Sequence, residues 1–557
     1  MTRLVECVPN CSDGRNQHVI DAIAQAISSV SGVKLLDVDP GADTNRTVYT
    51  FVGEPDAVQE AAVKAAHAAA EHIDMRVHQG AHPRIGAMDV CPFVPVAGVT
   101  MAECVDMAHA VGRRIAEDLR VPVYFYEHAA SSDARRSLAT IRAGEYEGLA
   151  QKLRDPAWQP DCGPVRFEAR YGATVVGARD FLLAYNVNLN TRDRRLAHEI
   201  ALTIREAGRA QRDASGQIVR GTDGQPKRVA GRLRRVRAIG WYIEEYRQAQ
   251  VSINLLDYKT TALHTVFEVV CEEAAKLGLR VSGSELVGMT PREPIVEAGR
   301  YYLRRQGKST GVALAELVEI AIRSLGLDQI APFDVNKKII EAYFEPEAPL
   351  LSMAVARFVD EVASEAPAPG GGSVAALAGS LGAALAALVA NVTVGRSGFE
   401  AASAALCADA ERAQELKARL ATLVDEDTRA FMDVVAARRL PKGTATDESA
   451  RAGAIEAALQ RAAQVPRETM QLSLEVLRLA GSIVERGNPH AASDAGVAGL
   501  MARAGVEGAT LNVLINLASI QDETFTRECR DEIAHVRAEA ARLVEALTRA
   551  LERRGVM

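Results

Sequence analysis

The sequence predicts an α/β N-terminal half, made of two α/β subdomains, followed by an all-α helical bundle. Runs rich in Val, Leu, Phe and Tyr alternate with segments of helical periodicity over about the first 340 residues. After a segment rich in proline and acidic residues, nearly every stretch is Ala-rich and helical in period. We therefore place the two subdomains at 1–181 and 182–344, a linker at 345–351 and the bundle at 352–557.

The individual elements follow from the same patterns. Strand composition occurs at 33–39, 46–53, 121–127, 181–189 and 250–258. Helical periodicity in the N-terminal half occurs at 16–30, 54–73 and 198–210, and from about Leu263. The bundle should contain long helices near 373–394, 401–438, 446–485, 493–518 and 522–553. Residues 210–240 are dense in Gly, Asp and Arg, which favours a solvated, mobile surface insertion; an arm that contacts an anionic ligand is the alternative.

Composition and charge exclude several functional classes. The 65 basic and 72 acidic residues give a formal net charge of -7, so no global positive field exists to attract nucleic acid or an anionic membrane. Eight scattered cysteines and an N-terminus without an apolar signal-peptide run predict a cytosolic protein with free thiols. Residues 374–394 have the length of a membrane span, but their Ala and Gly content favours a bundle helix.

The segment at 76–93 carries His78 and His82 among glycines. Two histidines four residues apart bind zinc when both project from one helix face, but Gly80 and Pro83 disfavour a helix and no third ligand follows at a suitable spacing. A glycine-rich loop lets the backbone approach a ligand, and a histidine there titrates near neutral pH, which suits proton transfer. A histidine that only caps a neighbouring helix is the alternative.

The motif APAPGGGSVAALAG is the sharpest local signal in the C-terminal half. Gly370, Gly371 and Gly372 have no side chains, and Ser373 stands where it can cap a helix that begins at Val374. The unpaired N–H groups at such a helix start bind anions. A glycine-rich turn between domains is the alternative, and the missing Lys-Ser/Thr pair excludes a Walker loop.

Helical spacing selects one carboxylate in LVDEDTRAFMDVV. Asp427 shares a face with apolar neighbours three and four residues away, so we expect it to be buried with a raised pKa, and we expect Asp425 at the surface. A hydrogen-bonded carboxylate without a chemical role is the alternative for Asp427. Asn512 and Asn516, four residues apart on an apolar helix, should be buried amides that need partners from another helix or from a ligand.

Motifs along most of the chain resemble one family. The resemblance to the formiminotransferase domain lies in LVECVPN, LLDVDPGADTNRTVYTFVG, HQGAHPRIGAMDVCPF, RAGEYEGL, GATVVGARDFLLAYNVNL and IGWY. The resemblance to the cyclodeaminase domain lies in APGGGSVAALAG, LVDEDTRAF, LPKG, VPRETM, SDAGVAG and NVLINL. In this order, from about residue 3 to about residue 530, the motifs resemble the bifunctional formimidoyltransferase-cyclodeaminase family.

The resemblance implies two folate reactions. The first moves the formimino group of N-formimino-L-glutamate to N5 of tetrahydrofolate, with His82 as the acid-base residue. The second closes the ring to 5,10-methenyltetrahydrofolate and releases ammonia, with Asp427 as the acid. Folate binding is implied for Gly163, Pro164, Val165, Arg166, Phe167, Glu168, Ala169, Arg170, Tyr171 and Gly172. Possible substrate-binding residues are Asn10, Asp39, Arg46, His78, Arg84, Gly370, Gly371, Gly372, Ser373, Asn512 and Asn516.

The resemblance also implies the ligands, the cellular compartment and the oligomeric state. The ligands are formiminoglutamate and a tetrahydrofolate that we expect to be polyglutamylated, and no metal is required. A cytoplasmic enzyme of histidine degradation, assembled as a homo-oligomer of dimers, is expected, without a nucleic acid partner or a membrane span. Two alternatives remain: a single-activity glutamate formimino- or formyltransferase whose helical domain serves dimerisation, and a non-catalytic folate-binding protein.

Overall fold

The computed structural model confirms the predicted fold class. It describes residues 3–42, 44–80, 82–213, 215–221, 224–344 and 348–557. The first sheet and its helices are β1 Leu4–Cys7, β2 Asn10–Cys11, α1 Gln17–Ser28, β3 Val33–Gly41, β4 Arg46–Gly53, α2 Pro55–His72, β5 Met88–Ala97, α3 Met101–Leu119, β6 Val123–Glu127, α4 Leu138–Arg142, α5 Glu145–Lys152 and β7 Thr174–Ala178. The second sheet region comprises β8 Leu183–Leu189, α6 Arg194–Ile204, β9 Arg209–Ala210, β10 Arg228–Val229, β11 Val236–Ile243, β12 Gln248–Leu255, α7 Leu263–Lys276 and β13 Val281–Val287.

The first sheet has seven strands and two chemically different faces. β1 and β2 act as one interrupted strand between β4 and β5, and β3 pairs with β4. β7 and β6 extend the sheet parallel to β5. α1, α2 and α3 cover one face, where buried Val, Ile and Ala side chains form the core. Because side chains alternate along a strand, the opposite face presents a second set that includes Asn10, Arg46, Val48, Val90 and Tyr126.

The second sheet has four antiparallel strands in the order β11-β12-β8-β13. α6 contacts β11 and β12, while α7 contacts β8 and β13. The predicted strands at 181–189 and 250–258 correspond to β8 and β12. The helix predicted at 198–210 spans Arg194–Ile204 instead, and Arg209–Ala210 form β9. It begins earlier because the Asp193 side chain accepts a hydrogen bond from the Arg195 N–H at 2.8 Å and caps it.

The charged segment after α6 is exposed over most of its described length. β9 and β10 pair at its base, and two turns follow each other in between. Arg212 Nη1 donates to the Gly216 carbonyl at 2.6 Å in the first turn, and Arg220 Nη1 donates to the Gly224 carbonyl at 2.8 Å in the second. These two arginines therefore close their own turns; residues 214, 222 and 223 lie outside the described part.

Helices make up nearly all of the remaining chain. They are α8 Arg292–Arg305, α9 Leu314–Leu325, α10 Val335–Lys338, α11 Val355–Val362, α12 Gly371–Thr393, α13 Glu400–Arg438, α14 Ala445–Arg486, α15 Ala492–Leu517 and α16 Glu523–Arg553. The five long bundle helices match their predicted positions within a few residues. The chain divides into two compact units, one with residues 1–295 and 325–345 and the other with 296–324 and 346–557. The predicted domain bounds stay predictions, and residues 345–347 of the predicted linker lie outside the described part.

α12 is the one described helix that is long and apolar enough to cross a bilayer. Of its most apolar stretch, 61% is buried inside the structure, as expected for a bundle helix. Its small residues allow close packing, since a Cβ added at Gly379 would lie 2.5 Å from Ser473 Oγ and one at Gly382 would lie 2.8 Å from the Ala498 carbonyl oxygen. The Ala and Gly content therefore serves helix packing in this bundle.

Candidate active sites

A basic cavity of about 710 Å³ is lined by residues of both sheets. Its acidic lining residues are Glu127 and Asp180. Its arginines outnumber them and are Arg46, Arg136, Arg142, Arg179, Arg235 and Arg237. Low-dielectric walls with an excess of one charge concentrate ligands of the opposite charge, so this cavity suits a ligand with more than one carboxylate.

His82 lies beside this cavity. It lines a smaller cavity of about 340 Å³, and both cavities share Leu138, Ala139 and Arg142. His82 Nδ1 lies 2.7 Å from the Pro83 carbonyl oxygen. Because a carbonyl oxygen only accepts, Nδ1 carries the ring proton and Nε2 keeps the lone pair of a base. Burial, and then the charge of Arg46, lowers the pKa of His82, which keeps the ring neutral near pH 7.

His78 and Arg84 hold the loop that carries His82. His78 Nε2 donates to the Asn45 carbonyl at 2.8 Å, and its Nδ1 accepts from Arg84 Nε at 3.2 Å. The Arg84 guanidinium is 7% exposed and forms ion pairs with Glu145 at 3.0 Å and Glu147 at 2.7 Å. The side chains of His78 and Arg84 thus already have partners in the protein. Their predicted contact with substrate stays a prediction.

Two of the loop glycines lie against neighbouring backbone, and the predicted approach of the loop to a ligand stays a prediction. A Cβ added at Gly80 would lie 2.2 Å from the Thr44 carbonyl oxygen, and one at Gly86 would lie 2.1 Å from the Ala173 carbonyl oxygen. Such distances are far inside van der Waals contact. These glycines let the loop approach neighbouring backbone, which fixes the position of His82.

The other predicted binding residues of this half are spread over several places. Asn10 and Arg46 line the large cavity, whereas Asp39 is exposed on β3. None of residues 163–172 lines that cavity or the one beside His82. Within this segment, Arg166 lies 3.7 Å from Glu168 and Arg170 Nη2 donates to the Glu71 carbonyl at 2.6 Å. Folate binding by these ten residues stays a prediction.

In the bundle, Asp427 lies against the start of α12. Its Oδ2 is 3.2 Å from Ser373 Oγ, and a Cβ added at Gly372 would lie 2.1 Å from its Oδ1. Burial raises the pKa of Asp427, as predicted, while hydrogen bonds from the Ser373 hydroxyl and backbone act in the opposite direction. The sequence predicts that the N–H groups at this helix start bind an external anion. The backbone N–H of Ser373 instead donates to the Asp427 carboxyl group.

The prediction that Asp425 lies at the surface is wrong. Asp425 is 4% exposed and accepts hydrogen bonds from the Leu350 N–H at 2.9 Å and the Leu351 N–H at 3.2 Å. Counting neighbours along α13 alone missed these donors, which arrive from a segment about 75 residues away in sequence. Asp427 is only partly buried, so Asp425 is the more enclosed carboxylate of the two.

Ser373 does not cap α12, contrary to the prediction. The helix begins at Gly371, three residues before the predicted start at Val374, with Gly370 as its N-cap. Ser373 is fully buried and donates to the Val424 carbonyl at 2.8 Å, which ties α12 to α13. Ser373 Oγ also lies 3.3 Å from the Thr428 hydroxyl. Thr428 in turn lines a cavity of about 410 Å³ whose charged lining residues are Glu426, Arg429, Asp433 and Arg461.

The two predicted amides on α15 are partly buried rather than fully buried. Asn512 Nδ2 donates to the Gly508 carbonyl at 2.8 Å, and a Cβ added at Gly371 would lie 3.3 Å from that nitrogen. Asn516 Nδ2 donates to the Ala462 carbonyl at 2.8 Å. Asn512 therefore borders the Asp427 site, whereas Asn516 links α15 to α14.

Among the described residues, no group of three or more His, Cys, Asp or Glu side chains could hold a metal ion. His78 and His82 belong to no such group, and both His78 nitrogens have hydrogen-bond partners. The absence of a metal requirement stays an expectation.

Sequence reasoning missed most of the basic cavity. Arg142 begins the motif RAGEYEGL and lines both cavities next to His82. It forms an ion pair with Asp89, a carboxylate that is 1% exposed. Arg179 lies in the motif GATVVGARDFLLAYNVNL, and Arg235 and Arg237 lie in the charged segment 210–240. No spacing singles out these three arginines, because only the two sheets bring them together.

Three family models match the chain in succession. They are the formiminotransferase domain, N-terminal subdomain, over residues 4–179, the formiminotransferase domain over 184–345, and formiminotransferase-cyclodeaminase over 354–535. A formimidoyltransferase-cyclodeaminase of Rattus norvegicus is 45% identical over 558 residues, which cover 100% of both chains. The chain belongs to the formiminotransferase-cyclodeaminase family. The resemblance stated from its motifs is confirmed over the full length.

Other relatives of this family member match only part of it. A glutamate formimidoyltransferase of Streptococcus pyogenes is 39% identical over 55% of this chain and 94% of its own. A methenyltetrahydrofolate cyclohydrolase of Methylorubrum extorquens is 40% identical over 34% of this chain and 91% of its own. Each of these two relatives matches one part of this chain over nearly its own full length.

Proposed function

We propose that this family member catalyses both reactions named in its full-length relatives. The first transfers the formimino group from N-formimino-L-glutamate to N5 of tetrahydrofolate. The second cyclises 5-formiminotetrahydrofolate to 5,10-methenyltetrahydrofolate and releases ammonia. One observation carries the proposal: two compact units of one chain each contain a site with the group that its reaction needs, a neutral histidine base in one and a carboxyl group of raised pKa in the other.

Formimino transfer requires one proton to leave N5 and one to reach the glutamate nitrogen. N5 attacks the formimino carbon, and the bond from that carbon to the glutamate nitrogen then breaks. His82 Nε2 can accept the first proton and return it to the departing nitrogen, so no net proton is consumed. The arginines of the large cavity would hold the carboxylates of the two substrates near this imidazole.

Ring closure requires a proton for the departing ammonia. N10 attacks the formimino carbon, closes the five-membered ring and loses its own proton as the carbon-nitrogen bond to ammonia breaks. Asp427 is suited to deliver the proton because burial keeps part of its population protonated above the usual range for aspartate. The buried Ser373 hydroxyl would hold this carboxyl group in place, and Asn512, which borders the same site, would orient the folate.

A spectroscopic assay tests the proposed function. Purified protein is mixed with N-formimino-L-glutamate and tetrahydrofolate, and the methenyl-folate absorbance and released ammonia are followed together. The proposal requires equal amounts of both products. Formation of 5-formiminotetrahydrofolate without ammonia would indicate a transferase whose helical bundle is not catalytic. The absence of any turnover would favour the folate-binding alternative.

Gly372→Ala should abolish ring closure while leaving formimino transfer intact. The new methyl group would occupy the position of the Asp427 carboxyl group, since a Cβ added at Gly372 lies 2.1 Å from Oδ1 of that residue. A displaced general acid loses most of its contribution, which is typically about 100-fold to 10,000-fold in rate. Ammonia release from added 5-formiminotetrahydrofolate measures the effect.

Gly370→Ala is the matched control for this change. Nothing lies within 4 Å of a Cβ added at Gly370, and its φ of -127° is ordinary for alanine. We expect ammonia release to remain within about three-fold of the unmodified protein, a change below 1 kcal/mol in activation free energy. Equal losses in both variants would show that the whole turn tolerates no substitution and that contact with Asp427 is not the reason.

The form of the folate, the pathway and the cellular compartment are proposals as well. We expect the folate to carry a polyglutamate tail, because the arginine-lined cavity can neutralise more carboxylates than one glutamate provides. We place the two reactions in histidine degradation in the cytoplasm, as the resemblance implies. Each glutamate residue added to the tail should lower the KM for folate in the transfer reaction until the cavity is filled.

We also propose that the bundle associates with a second copy of itself. α12 exposes Val374, Leu381 and Leu388 at seven-residue intervals, and α15 exposes Leu511 and Ile515, the latter with 72% of its surface accessible. The two helices pack on each other, and each presents exposed apolar side chains. A twofold axis would place each set of side chains against its own copy, as in most homodimers.

The double substitution of Leu511 and Ile515 to Glu should reduce the oligomer to a smaller species. Four carboxylates per twofold interface would oppose each other where apolar contact is needed. Sedimentation velocity measures the mass. The matched control is Val355→Glu, which alters an 82% exposed apolar residue on α11 and should leave the mass unchanged. An unchanged mass in the double variant would place the interface elsewhere.

A further inference from the structure

Asn10 and Arg46 form a side-by-side pair on the wall of the basic cavity. Asn10 on β2 is opposite Val48 on β4, so Arg46 is its diagonal neighbour across the strands. Diagonal neighbours on one sheet face are within reach of long side chains. Both residues line the cavity that borders the His82 site.

The Asn10 side chain offers an unused acceptor in this position. It is 5% exposed, and its Nδ2 donates to the Val8 carbonyl at 2.8 Å, which fixes the orientation of the amide. Its Oδ1 is buried and has no hydrogen-bond partner among the described residues. Most buried polar atoms in proteins have a hydrogen-bond partner, so this oxygen can accept a hydrogen bond from a ligand that enters the cavity.

The Arg46 side chain offers an unused donor and a charge that only the more distant Asp89 and Asp39 carboxylates offset. Its Nε is buried without a partner, and no carboxylate of the described residues lies within 4.0 Å of its guanidinium. The neighbouring Arg142 differs, because it forms an ion pair with buried Asp89. Burial and the charge of Arg142 lower the pKa of Arg46, so both features favour an anion beside it.

A ligand that completes this pair needs a negative acceptor next to an N–H donor. The amino-acid end of an N-substituted α-amino acid has this arrangement, since one carbon separates its carboxylate from its N–H. We infer that Arg46 binds the α-carboxylate of the formimino donor and that Asn10 Oδ1 accepts the N–H of its α-nitrogen. This inference rests on the proposed transferase function. The neutral carbonyl and N–H edge of the pterin ring would match the hydrogen bonds but would bring no negative charge to Arg46.

The arrangement would orient the nitrogen that leaves. The bond from the formimino carbon to the α-nitrogen breaks during transfer, and that nitrogen takes up the proton that N5 loses. A clamp on the adjacent carboxylate and on the N–H limits rotation of this nitrogen while His82 delivers the proton. Arg46 and Asn10 would therefore determine which amino acid is accepted as donor.

Two formimino donors with one carboxylate each distinguish binding of the α-carboxylate by Arg46 from general electrostatic attraction to the cavity. The first, 4-(formimino)aminobutyrate, lacks only the α-carboxylate; the second, N-formimino-2-aminobutyrate, lacks only the γ-carboxylate. The unmodified protein should prefer N-formimino-L-glutamate to the first donor by roughly 10-fold to 100-fold in kcat/KM, the value of a hydrogen bond to a charged group. Arg46→Gln should lose this preference and keep its KM for tetrahydrofolate within about three-fold.

Arg136→Gln is the matched control, because it removes the same charge from another part of the cavity. It should retain the preference for the α-carboxylate. The inference is overturned if Arg46→Gln keeps that preference, if it discriminates only against the second donor, or if its main effect is a raised KM for tetrahydrofolate. An unchanged KM for tetrahydrofolate also shows that the variant is folded.

A binding measurement separates this inference from the proposed function. Calorimetric titration with N-acetyl-L-glutamate and N-acetyl-4-aminobutyrate reports the α-carboxylate contact without turnover. If the unmodified protein fails to transfer the formimino group but binds the first probe more tightly in an Arg46-dependent manner, the function fails and the subsite stands. If transfer occurs and Arg46→Gln binds both probes as the unmodified protein does, the function stands and the subsite fails.

Discussion

Asp427→Asn should stop ring closure and cause 5-formiminotetrahydrofolate to accumulate, while formimino transfer continues at its normal rate. The amide has nearly the same shape as the carboxyl group and keeps the contact with Ser373, but it cannot deliver a proton. Loss of a general acid typically lowers the rate by about 100-fold to 10,000-fold. Ammonia release from 5-formiminotetrahydrofolate and the rate of its formation, measured on one preparation, check both parts.

Asp425→Asn is the matched control, since the two carboxylates are two residues apart on the same helix. Asp425 accepts the Leu350 and Leu351 N–H groups and has no contact with Ser373 among the described residues. Its replacement should lower the free energy of unfolding by about 1.5 to 3 kcal/mol, the value of hydrogen bonds to a charged group, with ring closure per folded molecule unchanged. Loss of ring closure in Asp425→Asn alone would reverse the assignment.

The pH dependence of ring closure adds a test of the identity of the acid. A general acid works in its protonated form, so the rate should fall as pH rises through the pKa of Asp427 in the folded protein, which burial raises above the usual value. Ser373→Ala removes a hydrogen bond that favours the ionised form, and the fall should therefore move to higher pH. A fall that moves to lower pH would mean that the serine mainly stabilises the protonated acid.

Local patterns predicted the helices of the bundle well but placed one of the two aspartates of α13 wrongly. α12 to α16 each follow a continuous period, so their bounds could be predicted within a few residues. Asp425 was placed at the surface because its helical neighbours include Thr428 and Arg429, yet two backbone donors from the segment before α11 bury it. Such donors depend on the tertiary fold, which helical spacing does not contain.

The choice between His78 and His82 also depends on tertiary contacts that local sequence patterns do not contain. Spacing and the glycines disfavour a zinc site for His78 and His82, which stays a prediction, but they give no reason to choose between the rings. The choice depends on hydrogen bonds: Asn45 and Arg84 occupy both nitrogens of His78, while His82 keeps a lone pair at Nε2. Family resemblance selected His82, and the geometry supplies a chemical reason for that selection.

His82→Ala should abolish formimino transfer while ring closure of added 5-formiminotetrahydrofolate continues. Without the imidazole, N5 has no base to take its proton, and the glutamate nitrogen has no acid to help it leave. The rate of transfer should fall by about 100-fold to 10,000-fold. In the unmodified protein, transfer should persist at neutral pH and fall as pH drops through the pKa of His82, which burial and Arg46 lower below the usual value of about 6.5.

His78→Ala is the matched control, because His78 lies four residues away in the same loop but bonds with both nitrogens to Asn45 and Arg84. It should loosen the loop and reduce transfer, yet the pH at which the rate falls should stay where it is in the unmodified protein. Arg46→Gln should move that fall to higher pH, since the removed charge lowers the pKa of His82. If added imidazole restored transfer to His78→Ala and not to His82→Ala, the base would be His78, and the orientation of the loop during turnover would differ from the one described.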